Sequence, residues 1–169
     1  MKKRLALVVE MILSLRLKNW NTHSNTLLTF GKGSNLLVGP MGSGKSSIVE
    51  GICFALYGTL PSVKNRRVKT QELISSFPEK EERAEVEIKF TLSSKGKGGE
   101  ESGESGKVYS VTRSVSSSGK SEAVFRESEK AIDSQSERVT EAVERVLGVD
   151  YELFSRVVYS EQNRIDAFL

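Results

Sequence analysis

The spacing of apolar and polar residues changes period several times along the chain, and each change predicts an element. Met11-Ile12-Leu13-Ser14-Leu15-Arg16-Leu17 alternates after Leu13, and Thr26-Leu27-Leu28-Thr29-Phe30 forms a second short apolar run, so both predict strands. Gly31 and Gly33 flank a turn before Asn35-Leu36-Leu37-Val38, a short apolar run that predicts a buried strand. From Lys45 to Tyr57 the pattern predicts a helix, stopped by Gly58 and Pro61. Val86-Glu87-Ile88-Lys89-Phe90 and Val108-Tyr109-Ser110-Val111-Thr112-Arg113 alternate strictly, as half-buried antiparallel strands do. Residues 93–106 between them carry no apolar side chain and predict a flexible hairpin tip, and Ser114 to Ser121 closes the next hairpin. Val139, Ala142, Val143, Val146 and Leu147 then form a stripe at helical spacing, ended by Gly148. Tyr151 to Leu169 holds two further apolar clusters.

Composition narrows the class. The 169 residues are one domain's worth of chain, 37% hydrophobic and 28% charged. No apolar stretch approaches the ~20 residues that span a bilayer, so no membrane span is expected. Met1 to Val9 has a basic start and an apolar run, but Glu10 and Arg16 interrupt it and no small-residue cleavage site intervenes, so a strand lead-in is expected there. The single cysteine, Cys53, excludes an intrachain disulfide and fits a reducing compartment; among Ile52, Phe54, Ala55 and Leu56 it reads as a small buried apolar residue. His23, the only histidine, excludes a histidine-based metal site within the chain and reads as structural or surface. The net charge of +3 permits nucleic acid as a partner without demanding it.

The chemistry is concentrated in Gly39-Pro40-Met41-Gly42-Ser43-Gly44-Lys45-Ser46, a full match to G-x-x-x-x-G-K-[ST] between a predicted strand and a predicted helix. Gly39, Gly42 and Gly44 let the backbone curl so that successive N–H groups converge, and the helix N-terminus adds its dipole. Lys45 supplies a cation for the β- and γ-phosphates and the Ser46 hydroxyl a Mg²⁺ ligand. Hydrolysis also needs an acid at the end of another apolar strand. The best match, Val146-Leu147-Gly148-Val149-Asp150, borrows two residues from the helical stripe, so Asp150 is read as a turn or helix-capping residue. No Asn-Lys-x-Asp motif is present, which disfavours GTP. Gln162 follows the strand-like run Val157-Val158-Tyr159 and is either a surface amide or a ligand for Mg²⁺ and water. Lys64, Arg66, Arg67 and Lys69 form a basic cluster, either a solvated loop or a contact for DNA phosphates.

Four stretches, taken in order, resemble one family: Asn19-Trp20-Asn21-Thr22-His23, Gly39 to Ser47, Phe54-Ala55-Leu56-Tyr57-Gly58, and Val158-Tyr159-Ser160-Glu161-Gln162-Asn163-Arg164-Ile165-Asp166-Ala167-Phe168-Leu169. They are similar to the DNA double-strand-break repair ATPases of the Rad-fifty and SbcC type, SMC relatives with ABC-type ATPase heads. The resemblance implies an α/β P-loop NTPase fold: the N-terminal lobe of an ABC-type head with mixed and antiparallel sheets, incomplete without its C-terminal half. It implies residues 1–155 as the head part and 156–169 as the Q-loop and the start of the helix leading to a coiled coil. The nucleotide set it implies is Asn21, Thr22, Gly39, Met41, Gly42, Ser43, Gly44, Lys45, Ser46, Ser47 and Ser75. Lys45 and Gln162 would act in catalysis, with Ser46 and Gln162 on Mg²⁺.

The same resemblance implies ATP and Mg²⁺ as cofactors, with zinc only at a hook outside this chain. The signature motif and Walker B acid would come from the C-terminal half. Implied partners are that half, a second head in a homodimer, a nuclease of the Mre-eleven type and double-stranded DNA ends, in the cytoplasm or nucleoid, or in the nucleus. Two departures stand out: Asn21-Thr22 where the family often has Arg-Ser, and Pro40-Met41 where an Asn commonly precedes the second glycine, so that Met41 offers only its backbone. A self-contained P-loop kinase and a non-hydrolysing SMC-like DNA clamp are the competing readings.

Overall fold

The computed structural model describes residues 7–76, 79–94 and 107–157. Strand β1 (Leu7–Trp20) turns at Asn21-Thr22 into β2 (His23–Thr29). After an irregular stretch come helices α1 (Lys45–Tyr57) and α2 (Pro61–Lys64) and a 3₁₀ turn (Thr70–Leu73). Strands β3 (Arg83–Ser94), β4 (Lys107–Ser116), β5 (Ser121–Glu127) and β6 (Lys130–Asp133) follow, and then helices α3 (Ser136–Leu147) and α4 (Tyr151–Val157). The six strands make one antiparallel sheet in the order β2-β1-β3-β4-β5-β6.

The change of pattern at Leu13 has a structural cause. Ile12 pairs with Phe90 and Ser14 with Lys89, so Leu13 is the extra residue of a β-bulge, and the in–out alternation restarts behind it. Leu15, Leu17 and Trp20 then face the core, alongside Ala84, Val86, Ile88 and Phe90 of β3 and Tyr109, Val111 and Val115 of β4. Against this face lie α1 and α3, so the sheet is apolar on one side. Its other side carries Glu85, Glu87, Lys89, Thr112 and Arg126, with Arg83 and Glu122 paired at 2.9 Å across it. Helix α1 lies close enough to the sheet that a Cβ on Gly51 would sit 2.6 Å from Leu17 Cδ2, so any side chain there would force Leu17 to shift. Burial of Cys53 pushes its thiol up to about 12, with Glu50 adding to the shift, so the side chain behaves as a small apolar group.

The buried residue least expected from composition is Arg113 of β4, 1% exposed. Alternation places it on the core face between Val111 and Val115, where no carboxylate among the described residues meets it. Its guanidinium instead donates to the carbonyls of Ala55 (2.9 Å) and Leu56 (3.2 Å) at the end of α1, and to the hydroxyls of Ser136 (3.1 Å) and Thr140 (2.8 Å) on α3. A cation at the negative end of the α1 dipole satisfies carbonyls that the helix itself leaves unpaired. Burial pushes Arg113 down to about 10, so it remains protonated at neutral pH. Arg113→Met is expected to lower stability by about 2–4 kcal/mol, since each buried acceptor left without a donor costs about 1–3 kcal/mol. A urea titration followed by far-UV circular dichroism measures this, and an unchanged midpoint would contradict the capping role.

Three expectations need correction or limits. Residues 35–38 do not form a strand. Among the described residues they have no ladder partner, and Leu36 and Val38 are 87% and 84% exposed. The carboxamide of Asn35 accepts from Gly31 N–H (3.0 Å) and donates to the carbonyls of Gly31 (3.0 Å) and Gly33 (3.3 Å), closing a local turn where a strand should start. The sheet is antiparallel throughout among the described residues, without the mixed pairing also envisaged. The hairpin between the two alternating strands is present, but Ser93 and Ser94 belong to β3, and residues 95–106 of the expected tip lie outside the described residues. Asp150 is a helix cap: its Oδ1 accepts from Leu153 N–H at 2.8 Å at the start of α4. Among the described residues no helix is long and apolar enough to cross a membrane.

Candidate functional site

The phosphate motif folds as its glycines require. Gly42 (φ 81°) and Gly44 (φ 85°) take the left-handed conformation that only glycine adopts without strain, and Gly44 caps the N-terminus of α1. A Cβ on Gly44 would meet His23 Nε2 at 2.5 Å and Thr22 Oγ1 at 2.7 Å, so backbone and β2 are in close contact there. Thr22, Met41, Gly42, Gly44, Lys45, Ser46 and Ser47 line a cavity of about 450 Å³ over the helix N-terminus.

Lys45 folds back over the loop. Its ammonium donates to the carbonyls of Gly39 (2.8 Å) and Pro40 (2.7 Å) and to the Ser43 hydroxyl (3.3 Å), which places the cation at the edge of the cradle. Ser46 stands beside it on the cavity wall, and Met41 is fully exposed at 101%, so its side chain takes no part in the loop's packing. These groups fit a nucleotide's phosphates: positively polarised N–H groups at a helix start, one mobile ammonium and one hydroxyl suited to a divalent cation. Among the described residues there is no group of three or more His, Cys, Asp or Glu that would hold a metal unaided, and a Mg²⁺ at Ser46 would draw further ligands from phosphate oxygens and water.

The other expected residues divide. Thr22 joins the cavity wall, whereas the Asn21 side chain turns to α1 and donates to Glu50 Oε2 at 3.0 Å, outside that wall. Ser75 is not on the wall. Its N–H donates to Asn19 O at 2.8 Å, and the Trp20–Ile74 bridge tucks it, 2% exposed, against the end of β1. Gln162 and the stretch 158–169 lie outside the described residues. In the basic cluster Lys64 is engaged, 3.4 Å from Glu152 and 4.6 Å over the Tyr151 ring, while Arg66, Arg67 and Lys69 are exposed.

Two residues at the cradle escape motif reasoning. Trp20 Nε1 donates to Ser47 O at 3.0 Å, and His23 Nε2 lies 3.1 Å from Gly44 O with its Nδ1 3.0 Å from Thr26 Oγ1. Neither contact has a sequence signature beyond adjacency to Asn21-Thr22.

A family model described as an AAA domain matches residues 14–169. The DNA double-strand break repair Rad50 ATPase of Methanocaldococcus jannaschii is 30% identical over 155 residues, which is 92% of this chain and 13% of that protein. Its counterpart in Methanococcus maripaludis is 28% identical, over 91% of this chain and 14% of that protein. The chain thus spans about one-seventh of the length of these relatives. Among solved structures, an SMC ATPase studied for ATP-driven dimerization and DNA-stimulated activation superposes with a TM-score of 0.67 at 24% identity, covering 93% of this chain and 89% of that one. An Smc head domain with an extended coiled coil, bound to the C-terminal domain of ScpA from Pyrococcus furiosus, gives 0.60 at 25% identity, over 86% and 34%.

Proposed function

Since the chain belongs to the AAA domain family, we propose that it binds ATP as the N-terminal part of an ABC-type head in a Rad50-like DNA double-strand-break repair ATPase. One observation carries the reading: a complete phosphate motif folded at a helix N-terminus, with Lys45 held over a cavity that Ser46 and Thr22 also line. The similarity to Rad50 ATPases over nine-tenths of the chain supports the repair context.

In this reading the N–H groups of Gly42 to Ser46 and the Lys45 ammonium bind and orient the β- and γ-phosphates. The Ser46 hydroxyl, with Gln162 from the Q-loop, would hold Mg²⁺, which when bound offsets the charge developing on the γ-phosphate oxygens. Gln162 would also orient the attacking water. The acid and the signature residues would come from the C-terminal half and from a second head, whose closure over two ATP molecules would be the switch. A nuclease of the Mre-eleven type and double-stranded DNA ends are the proposed partners, with Arg66, Arg67 and Lys69 available to phosphates, in an intracellular compartment that keeps Cys53 reduced. The competing kinase reading requires its own acid, and the best sequence match, Asp150, is spent on capping α4.

The test is ATP turnover by residues 1–169 with and without a C-terminal segment from the same gene. Turnover that appears only with the complement is expected. Robust turnover by residues 1–169 alone would overturn the composite head and favour the kinase, and binding without turnover in both cases would favour a clamp.

A further inference from the structure

The turn between β1 and β2 holds the first turns of α1 at three places: Trp20 Nε1 on Ser47 O, Asn21 Nδ2 on Glu50 Oε2 and His23 Nε2 on Gly44 O. Positions 44, 47 and 50 lie three apart, on one side of the helix. The third contact acts on the cradle itself. Gly44 O is only an acceptor, so His23 Nε2 donates to it, and the Thr26 hydroxyl, 3.0 Å from Nδ1, holds the other side of the ring.

The same carbonyl accepts the first helical bond, from Ile48 N–H at 3.2 Å. Across a trans peptide the C=O and the following N–H point in opposite directions. Holding Gly44 O toward β2 and the helix therefore turns the Lys45 N–H outward from the N-terminus of α1, toward the cavity that Lys45 and Gly44 line. Gly44, at φ 85°, has no side chain to restrain its peptide plane, and the imidazole joins the helical bond from Ile48 in fixing it.

We propose that His23 is a positioning residue for the phosphate cradle, setting the Gly44–Lys45 peptide so that its N–H meets a nucleotide phosphate. This rests on the ATP-binding reading above. His23 does not touch the nucleotide; it acts through Gly44.

Two amides of different reach separate this role from simple packing. In His23→Gln the terminal NH₂ extends far enough to donate to Gly44 O, whereas in His23→Asn it stops near the Nδ1 position and can serve Thr26 alone. Affinities for MgATP and for inorganic tripolyphosphate, measured by calorimetry, are expected to fall ~5–20-fold in His23→Asn, equally for both ligands, and less than ~3-fold in His23→Gln, on the scale of one misplaced hydrogen bond. Thermal midpoints without ligand monitor folding. Thr26→Val, which keeps the imidazole but removes its orienting hydroxyl, should lower both affinities ~2–5-fold and serves if either amide folds poorly. Equal affinities in His23→Asn and His23→Gln, or an unaltered affinity in Thr26→Val, overturn the proposal. Wild-type protein that binds neither ligand overturns the ATP reading and this inference with it.

Discussion

Lys45→Ala is expected to lower ATP affinity by about three orders of magnitude with the fold intact. The ammonium rests at the edge of the cradle on two loop carbonyls and the Ser43 hydroxyl, contacts it exchanges for phosphate oxygens when a nucleotide binds. Two charge-assisted bonds to phosphate oxygens, each about 2 kcal/mol net, amount to about 4 kcal/mol, or ~10³ in dissociation constant. Alanine is a good helix former at the first position of α1, and the substitution leaves the core untouched, so the unliganded midpoint should move by less than about 0.5 kcal/mol. Calorimetric titration with MgATP reads the first quantity and thermal melting the second. Affinity within a few fold of wild type would remove Lys45 from the phosphate site.

Trp20→Ala is expected to have the largest effect on stability, about 4–5 kcal/mol. Trp20 is wholly buried, its ring centroid lies 4.8 Å from that of Phe54, and its Nε1 donates to Ser47 O. Replacing a buried Trp by Ala costs about 3–5 kcal/mol in transfer and cavity terms, and one unmet carbonyl adds to that. Against a usual total of about 5–15 kcal/mol the variant stands close to unfolding. Trp20→Phe keeps most of the ring and forfeits the donor, so it should cost roughly a third as much. Urea midpoints followed by far-UV circular dichroism give both values; equal losses for the two variants would mean that packing against Phe54 contributes little.

Elements governed by a local period were legible in the residues. Helix α1 runs from Lys45 to Tyr57 with Gly58 in the left-handed position, and the stripe from Val139 to Leu147 is α3 with Gly148 as its cap. The turn into α1 was legible because Gly42 and Gly44 take the left-handed conformation their spacing suggests. Residues 35–38 misled because an apolar run reports a preference for burial, whereas a strand also needs a neighbour, and none is present among the described residues. Arg113 could have been found: the alternation that puts Val111 and Val115 in the core puts Arg113 there too. His23 could not, because its partner is a backbone carbonyl, and backbone groups leave no trace in side-chain identity. Ser75, which the resemblance implies at the nucleotide, is held by β1 pairing off the wall of the cavity.

The order of strands also bears on how the molecule comes together in time. Every neighbouring pair in the sheet is a local hairpin except one, β1 against β3, where Lys18 meets Glu85 across the whole segment that carries the phosphate loop and α1. Closing so long a loop has an entropic cost that must be met before its contacts repay it, so this pairing is expected to be slower than the short-range ones. The segment that carries the phosphate motif therefore lies inside that loop. A ligand bound to that segment is then expected to slow unfolding rather than hasten folding.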